Sequence, residues 1–274
     1  MKWSFILFLP AVVSIVWALV IVLTKKRLTS AQALFSLSLL VSAFAITVAG
    51  VYFRGQVEKL FIYDFLLEAS TVFCLPLYYI SICSLTEPRG ATLSQRHVFI
   101  IPILFTIGLT IGAFGMHPSR YQAMCLDVAE NGRIPWHPDD MAYNFMILWN
   151  QIVFPLLTII MGVTLLFLSE RKVRLYKQRF DSYYAQSLNM PRLNIREIVI
   201  ITWLFLPFIM LTIYLIAYRP YYYKYWLILC ALMLTVIQYL TGRFAYRYNY
   251  DAHFLADYIR KISTDGEDPV STKK

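Results

Sequence analysis

Asp64 and Glu68 lie in a long apolar stretch, "LFIYDFLLEASTVFCLPLYYISICSLTEP" over residues 60–88. Four residues apart, they share one face of a helix. Carboxylates set this way in an oily helix can hold a cation, pass a proton or accept hydrogen bonds from a polar ligand. Two readings of the pair stand open. Acids near a helix N-terminus are favoured by the dipole and by interfacial water, which gives them a plain structural role. Glu68 lies about two turns in, where ionisable groups usually face the bundle interior or a wet cavity. Asn144, Asn150, Gln151 and Tyr214 fall at a similar depth in other apolar segments, and Arg54, Arg219 and Lys224 sit near segment ends. Together they outline a polar pocket with Glu68 near its floor.

Other chemistry is poorly served. The histidines, His97, His117, His137 and His253, form neither H-x-x-x-H nor H-E-x-x-H. "HPDD" at 137–140 reads as a solvated acidic loop. G-x-S-x-G, a phosphate-binding glycine loop and kinase signatures are missing. Lys224 sits at the rim of the last apolar segment, which disfavours a retinal Schiff base. Cys74, Cys83, Cys125 and Cys230 have no C-x-x-C spacing and read as small apolar filler. No catalytic residue, metal or cofactor is expected, and an enzyme is the least favoured class.

The elements that must position the polar residues are membrane spans. The chain is 59% hydrophobic and 15% charged, more apolar surface than a soluble domain of 274 residues can hide. Seven segments reach the length of about 20 residues that a bilayer core requires, at about 4–24, 31–53, 60–84, 97–115, 143–168, 195–217 and 221–241. Each must be helical, because backbone groups in hydrocarbon have to be satisfied internally. The first segment is too long for a signal-peptide core and has no small-x-small cleavage site before "TKKRLT", so it reads as a retained span.

Eighteen of the 25 Lys and Arg residues fall on one side of this layout, in the loops around 25–27, 89–96 and 171–196 and in the tail. By the positive-inside rule the N-terminus lies outside and the C-terminus in the cytoplasm. The net charge of +9 therefore reflects topology, and direct nucleic-acid binding is not expected. Pro10, Pro76, Pro102, Pro155 and Pro207 interrupt five spans; of these Pro76, Pro155 and Pro207 are candidate bends. Residues 116–142 read as an outer loop and 169–194 as a cytoplasmic loop whose start could extend the fifth helix. The division is a seven-helix bundle over 1–243 and a short tail or linker over 244–274, too short for a further domain.

"LPLYYISICSLTEP", residues 75–88, and "RFDSYYAQSLNMPRLNIREIVIITWLF", residues 179–205, resemble a bacterial group typical of Bacteroidota. These are seven-span membrane regulators that carry an AraC-type helix-turn-helix domain after the last span. Pro76, Leu77, Tyr79, Ser84, Leu85 and Thr86 agree with the family's third-helix exit. Leu75, Ser81 and Cys83 stand where a glycine, a tyrosine and an arginine are expected, and Ile195 replaces a tryptophan. The DNA-binding domain has no counterpart in these 274 residues. The resemblance implies the sensor half of a transcription regulator in the bacterial inner membrane. It would pass an outside or membrane cue to a cytoplasmic output through Arg179, Phe180, Tyr183, Tyr184 and Arg243. Expected partners are the lipid bilayer, an unidentified ligand, a cytoplasmic output domain or partner protein, and a second copy of the chain. The rival reading is a small transporter or channel with Asp64 and Glu68 in a cation or proton path; a structural partner in a membrane complex is a third.

Overall fold

The structure, a computed structural model, describes residues 4–25, 28–53, 60–87, 93–131, 140–184, 197–205, 207–208 and 223–247. All regular structure among them is helical. Helix α1 runs Ser4–Thr24, α2 Ser30–Phe53 and α3 Leu60–Thr86. A turn at Leu93–Arg96 and a 3-10 turn at His97–Phe99 lead into α4, Ile100–Gly115. Helix α5 is Pro118–Asn131 and α6 is Met141–Leu148. A π-helical turn, Trp149–Val153, joins α6 to α7, Phe154–Tyr184. Residues 197–205 form α8, and α9 is Tyr223–Arg247.

Six helical stretches among the described residues are long and apolar enough to cross a membrane. They correspond to the first five and the last of the expected spans. The sixth, over 195–217, is helical at 197–205 and 207–208, and its remainder lies outside the described residues, as does most of the tail over 244–274. Residues 116–142 differ from the reading as a loop, because 118–131 form α5. The stretch from Met141 continues well beyond 168, through Gln178 as one candidate span and through Tyr184 as helix.

Helix α3 is the axis of the bundle. It packs against α2, α4, α5 and α7, while α1 lies between α2 and α9. Two apolar cores share it. Tyr79, Ile80 and Cys83 join Phe105, Leu109, Tyr121, Met146 and Leu165 in one. Tyr78, Ile82 and Leu85 join Ile21, Phe35, Ile201 and Phe244 in the other. Helix α3 is therefore buried on all sides from Leu75 to Thr86. Peripheral helices instead leave apolar stripes uncovered, such as Ile103, Ile107 and Ile111 on α4 and Val12, Val16 and Leu19 on α1. That is the pattern of a helix with lipid on one side.

Small residues set the close packing of α1. Its buried seam is Ala11, Ser14, Ala18 and Ile21, where interfaces between membrane helices favour small side chains. Ser14 also donates to the Pro10 carbonyl at 2.8 Å. At Gly242 of α9 the ring and Cβ of Trp17 occupy the space a side chain would need.

The ends of α1, α3 and α9, the starts of α2 and α8 and the Lys172 turn of α7 gather at one end of the bundle, here called the basic end. Thr29 and Gln32 form a reciprocal capping box, each accepting the other's backbone N–H at 3.2 Å. Gln32 then reaches across to donate to the Ala245 carbonyl of α9 at 3.2 Å. Lys25 lies over the Tyr246 ring at 4.8 Å, Glu87 after α3 pairs with Lys172 of α7, and Arg243 of α9 pairs with Glu197 of α8 at 3.5 Å.

Gly242→Leu is expected to force Trp17 away and to destabilise the protein by about 1–3 kcal/mol, the usual cost of overpacking. Thermal unfolding of the purified protein, with Leu240→Ala as a control on the same helix, measures it.

Candidate functional site

At the end opposite the basic one, the first turns of α3 meet α5 and the π turn. Helix α5 begins with Pro118, whose missing N–H costs nothing in a first helical turn. Arg120 and Tyr121 donate their backbone N–H groups to the His117 carbonyl at 2.9 and 3.1 Å. Its inner face is Tyr121, Met124 and Cys125, all essentially buried, at the i, i+3, i+4 spacing of an amphipathic helix. Gln122 accepts the Phe61 backbone N–H at 3.2 Å, one of the donors that a helix start leaves without an intrahelical partner. The Phe61 and Tyr121 rings lie 6.0 Å apart.

The π turn has a local cause. Pro155 cannot donate to the carbonyl four residues back and its ring crowds that turn. The backbone widens here, and the Phe154 N–H reaches back to the Trp149 carbonyl five residues earlier. Trp149 stacks on Phe145 and Phe105, with centroids 5.2 and 5.4 Å apart. Its ring lies where a side chain at Gly108 of α4 would be. The next residue, Asn150, turns toward α3.

Asp64 is where these elements converge. Its Oδ2 accepts the Tyr121 hydroxyl at 3.1 Å and the Asn150 amide at 3.0 Å. Glu68, one turn deeper, is 5% exposed, and its Oε2 has no hydrogen-bond partner. Asn150 Oδ1 and Gln151 Nε2 are likewise buried without a partner. The two carboxylates influence α5. Burial, then the charges of Asp64 and Glu68, hold the Tyr121 hydroxyl and the Cys125 thiol well above their ordinary pKa values. Both stay protonated and neutral, so Tyr121 is a donor to Asp64 and neither group is a ready nucleophile.

The structure thus brings Asp64, Glu68 and Asn150 to one end of the bundle, with Gln151 adjacent to Asn150. Asn144 is buried in α6, its N–H donating to the Asp140 carbonyl at 3.0 Å. Tyr214 lies outside the described residues. Pro76 is buried within α3, Pro155 follows the π turn, and Pro207 is exposed. Arg179, Phe180, Tyr183 and Tyr184 continue the α7 backbone, with side chains outside the described residues. Arg243 is at the basic end, paired with Glu197. Asp140, from the "HPDD" stretch, caps α6 by accepting the Tyr143 N–H at 3.1 Å and pairs with Arg120 of α5. Among the described residues no group of three His, Cys, Asp or Glu side chains is fit to hold a metal ion.

Sequence reasoning missed Tyr121, Gln122 and Cys125, having placed them in a loop. The signal was present in Pro118 and in the Tyr121–Met124–Cys125 spacing. No protein-family model, curated protein or solved structure matches this chain.

Cys125 is expected to resist iodoacetamide even at about pH 9.5, where an ordinary thiol with a pKa of about 8.5 is mostly thiolate. Tyr121→Ala should open the site and speed labelling by about tenfold or more. Peptide mass spectrometry after timed alkylation reads the rate at this residue.

Proposed function

We propose that the chain is a multi-pass protein of the bacterial inner membrane that senses a cue at its outer end and transmits it to a cytoplasmic output. In this reading the spans number seven, the sixth being completed over 195–217. The N-terminus is outside, and the basic end is cytoplasmic. The observation that carries the reading is the convergence of α3, α5 and the π turn on Asp64 at the end opposite the basic one. Helix α3 and the helical stretch from Asn150 through α7 are linked twice, by Asp64–Asn150 and by Glu87–Lys172. A change in what Asp64 holds therefore bears on the basic end through two packed helices. It does so only if the cue favours one arrangement over another.

The resemblance of 75–88 and 179–205 to membrane-bound AraC-type regulators supports the same class. The output is then a helix-turn-helix domain or a partner protein reached through the end of α7 and through α9. The unpartnered Glu68 oxygen favours a second reading, a cation or proton path. Toward the basic end, the Tyr78 hydroxyl and Thr202 satisfy each other at 3.1 Å, and Glu197 is engaged with Arg243. Those pairs make a poor relay, which keeps sensing ahead of transport.

Alkaline phosphatase fused after Lys274 should be inactive, and fused within 116–142 active; the reverse pattern would invert the orientation. In the native host, Asp64→Asn and Lys172→Gln should alter an overlapping set of transcripts by about threefold or more, a coupling of about 0.7 kcal/mol if the output is two-state. Unchanged transcripts together with altered ion flux in proteoliposomes would favour the transport reading.

A further inference from the structure

We infer that Asp64, Glu68 and Asn150 frame a binding site for one monovalent cation, an alkali-metal ion or a proton. The inference deepens the sensor reading and rests on it for what the cation does, though not for the chemistry of the site.

A carboxylate oxygen withdrawn from water requires a donor or a positive charge. Glu68 is 5% exposed, its Oε2 has no hydrogen-bond donor, and it forms no ion pair among the described residues. Asn150 repeats the deficit. Its Nδ2 is spent on Asp64, so its other end presents the Oδ1 acceptor, which is also buried and unpartnered. Two orphaned acceptors thus sit on elements joined through a second carboxylate. Buried polar atoms in native proteins are rarely left in this condition unless a water or an ion completes them. Gln151 Nε2, on the next residue, is also buried and unpartnered.

Among the described residues the surroundings add no counter-charge. Helix α5 turns Tyr121 and Cys125 toward the carboxylates, and both are held neutral there. Its Arg120 is directed to Asp140 instead. Helix α4 has no titratable side chain between Ile100 and Gly115, and α2 and α6 have only Tyr52 and Tyr143.

One positive charge fits better than two. Asp64 already accepts from two protein donors, so the uncompensated oxygen is that of Glu68. Calcium requires about six to eight oxygen ligands, and magnesium keeps most of its waters. An alkali-metal ion is satisfied by carboxylate, amide and water oxygens, and a proton by the Glu68 oxygen alone.

The test uses the full chain, purified and reconstituted in nanodiscs. Thermal unfolding is followed in NaCl and in choline chloride at equal ionic strength, at about pH 8 and about pH 5, with ²²Na⁺ binding measured in parallel. For an alkali-metal occupant, NaCl raises the wild-type Tm saturably by about 3 °C at pH 8. Glu68→Gln, isosteric and uncharged, abolishes the rise and weakens ²²Na⁺ binding at least about tenfold. Glu68→Asp, which keeps the charge, retains part of it. For a proton, Na⁺ is without effect, and acidification stabilises wild type relative to Glu68→Gln. The proposal is overturned if neither change distinguishes wild type from Glu68→Gln, or if only Ca²⁺ or Mg²⁺ does so. Unchanged elution and helical circular dichroism verify that the variants are folded. An intact cation effect with unaltered host transcripts in Asp64→Asn would retain the site and remove the sensor reading. Altered transcripts without a cation effect would do the opposite.

Discussion

A carboxylate set in an apolar bundle and only partly open to solvent must take much of its solvation from the protein, and the architecture at one end of this molecule follows from meeting that demand at Asp64. At a surface water would do all of the work. Here part of it is done by a phenol from α5 and an amide from the π turn, both on one carboxylate oxygen. Each donor needs its own support. Tyr121 is held because Met124 and Cys125 bury the same face of α5, and Arg120 ties that helix to the cap of α6. Asn150 is held by the widened turn that Pro155 imposes and by Trp149, wedged against Gly108, Phe105 and Phe145. A single hydrogen bond between neutral groups contributes only about 1 kcal/mol, and bonds to charged groups about twice that. The network matters less for its net energy than for the cost of leaving a charge unsatisfied.

The opposite end meets the same demand differently. Its charges lie where the helices end, and they are paired side chain to side chain, Glu87 with Lys172 and Glu197 with Arg243. These groups are partly exposed, so each pair contributes little to stability on its own. Their effect is to fix which helix ends lie together. The uncharged links between them, Gln32 to Ala245 and Tyr78 to Thr202, are buried and less open to screening.

Much of the helical architecture was legible in the sequence, because hydrocarbon permits little besides helices and the apolar runs are long. The spans at 31–53 and 97–115 coincide with helices to within a residue. The site was legible in part. Asp64 and Glu68 announce themselves as charges where charges are costly, and Asn150 as an amide at similar depth. Their partners were harder to see, because Tyr121 lies in a short helix of mixed composition that a hydropathy scan reads as a loop. Its periodicity was visible, but it spans only one turn. The π turn could be anticipated from Pro155, yet the direction in which it rotates Asn150 depends on the packing of Trp149 against α4. That is a tertiary fact that no local pattern contains.

The two ends differ in a way that bears on how a signal could pass between them. The C-terminal half of α3, Leu75 to Thr86, is enclosed by both cores, with Pro76 at the start of the enclosed stretch. A helix clamped this way cannot bend freely below Pro76. Above it, the helix is held through Asp64 and through Phe61, Phe65, Ala69, Val72 and Phe73, which pack into the first core. Helix α7 has a matching discontinuity at the π turn and Pro155. In the proposed sensing role, a rearrangement at Asp64 would be taken up more easily as tilt or rotation about these two prolines than as deformation of the packed half of α3, because close-packed cores resist continuous strain. Below them α3 and α7 are packed together and paired at Glu87–Lys172. Glu68, buried, and Asp64, partly buried, lie on the outer side of Pro76, so in the proposed sensing role a change in their partners would act first on the part of α3 ahead of its enclosed half.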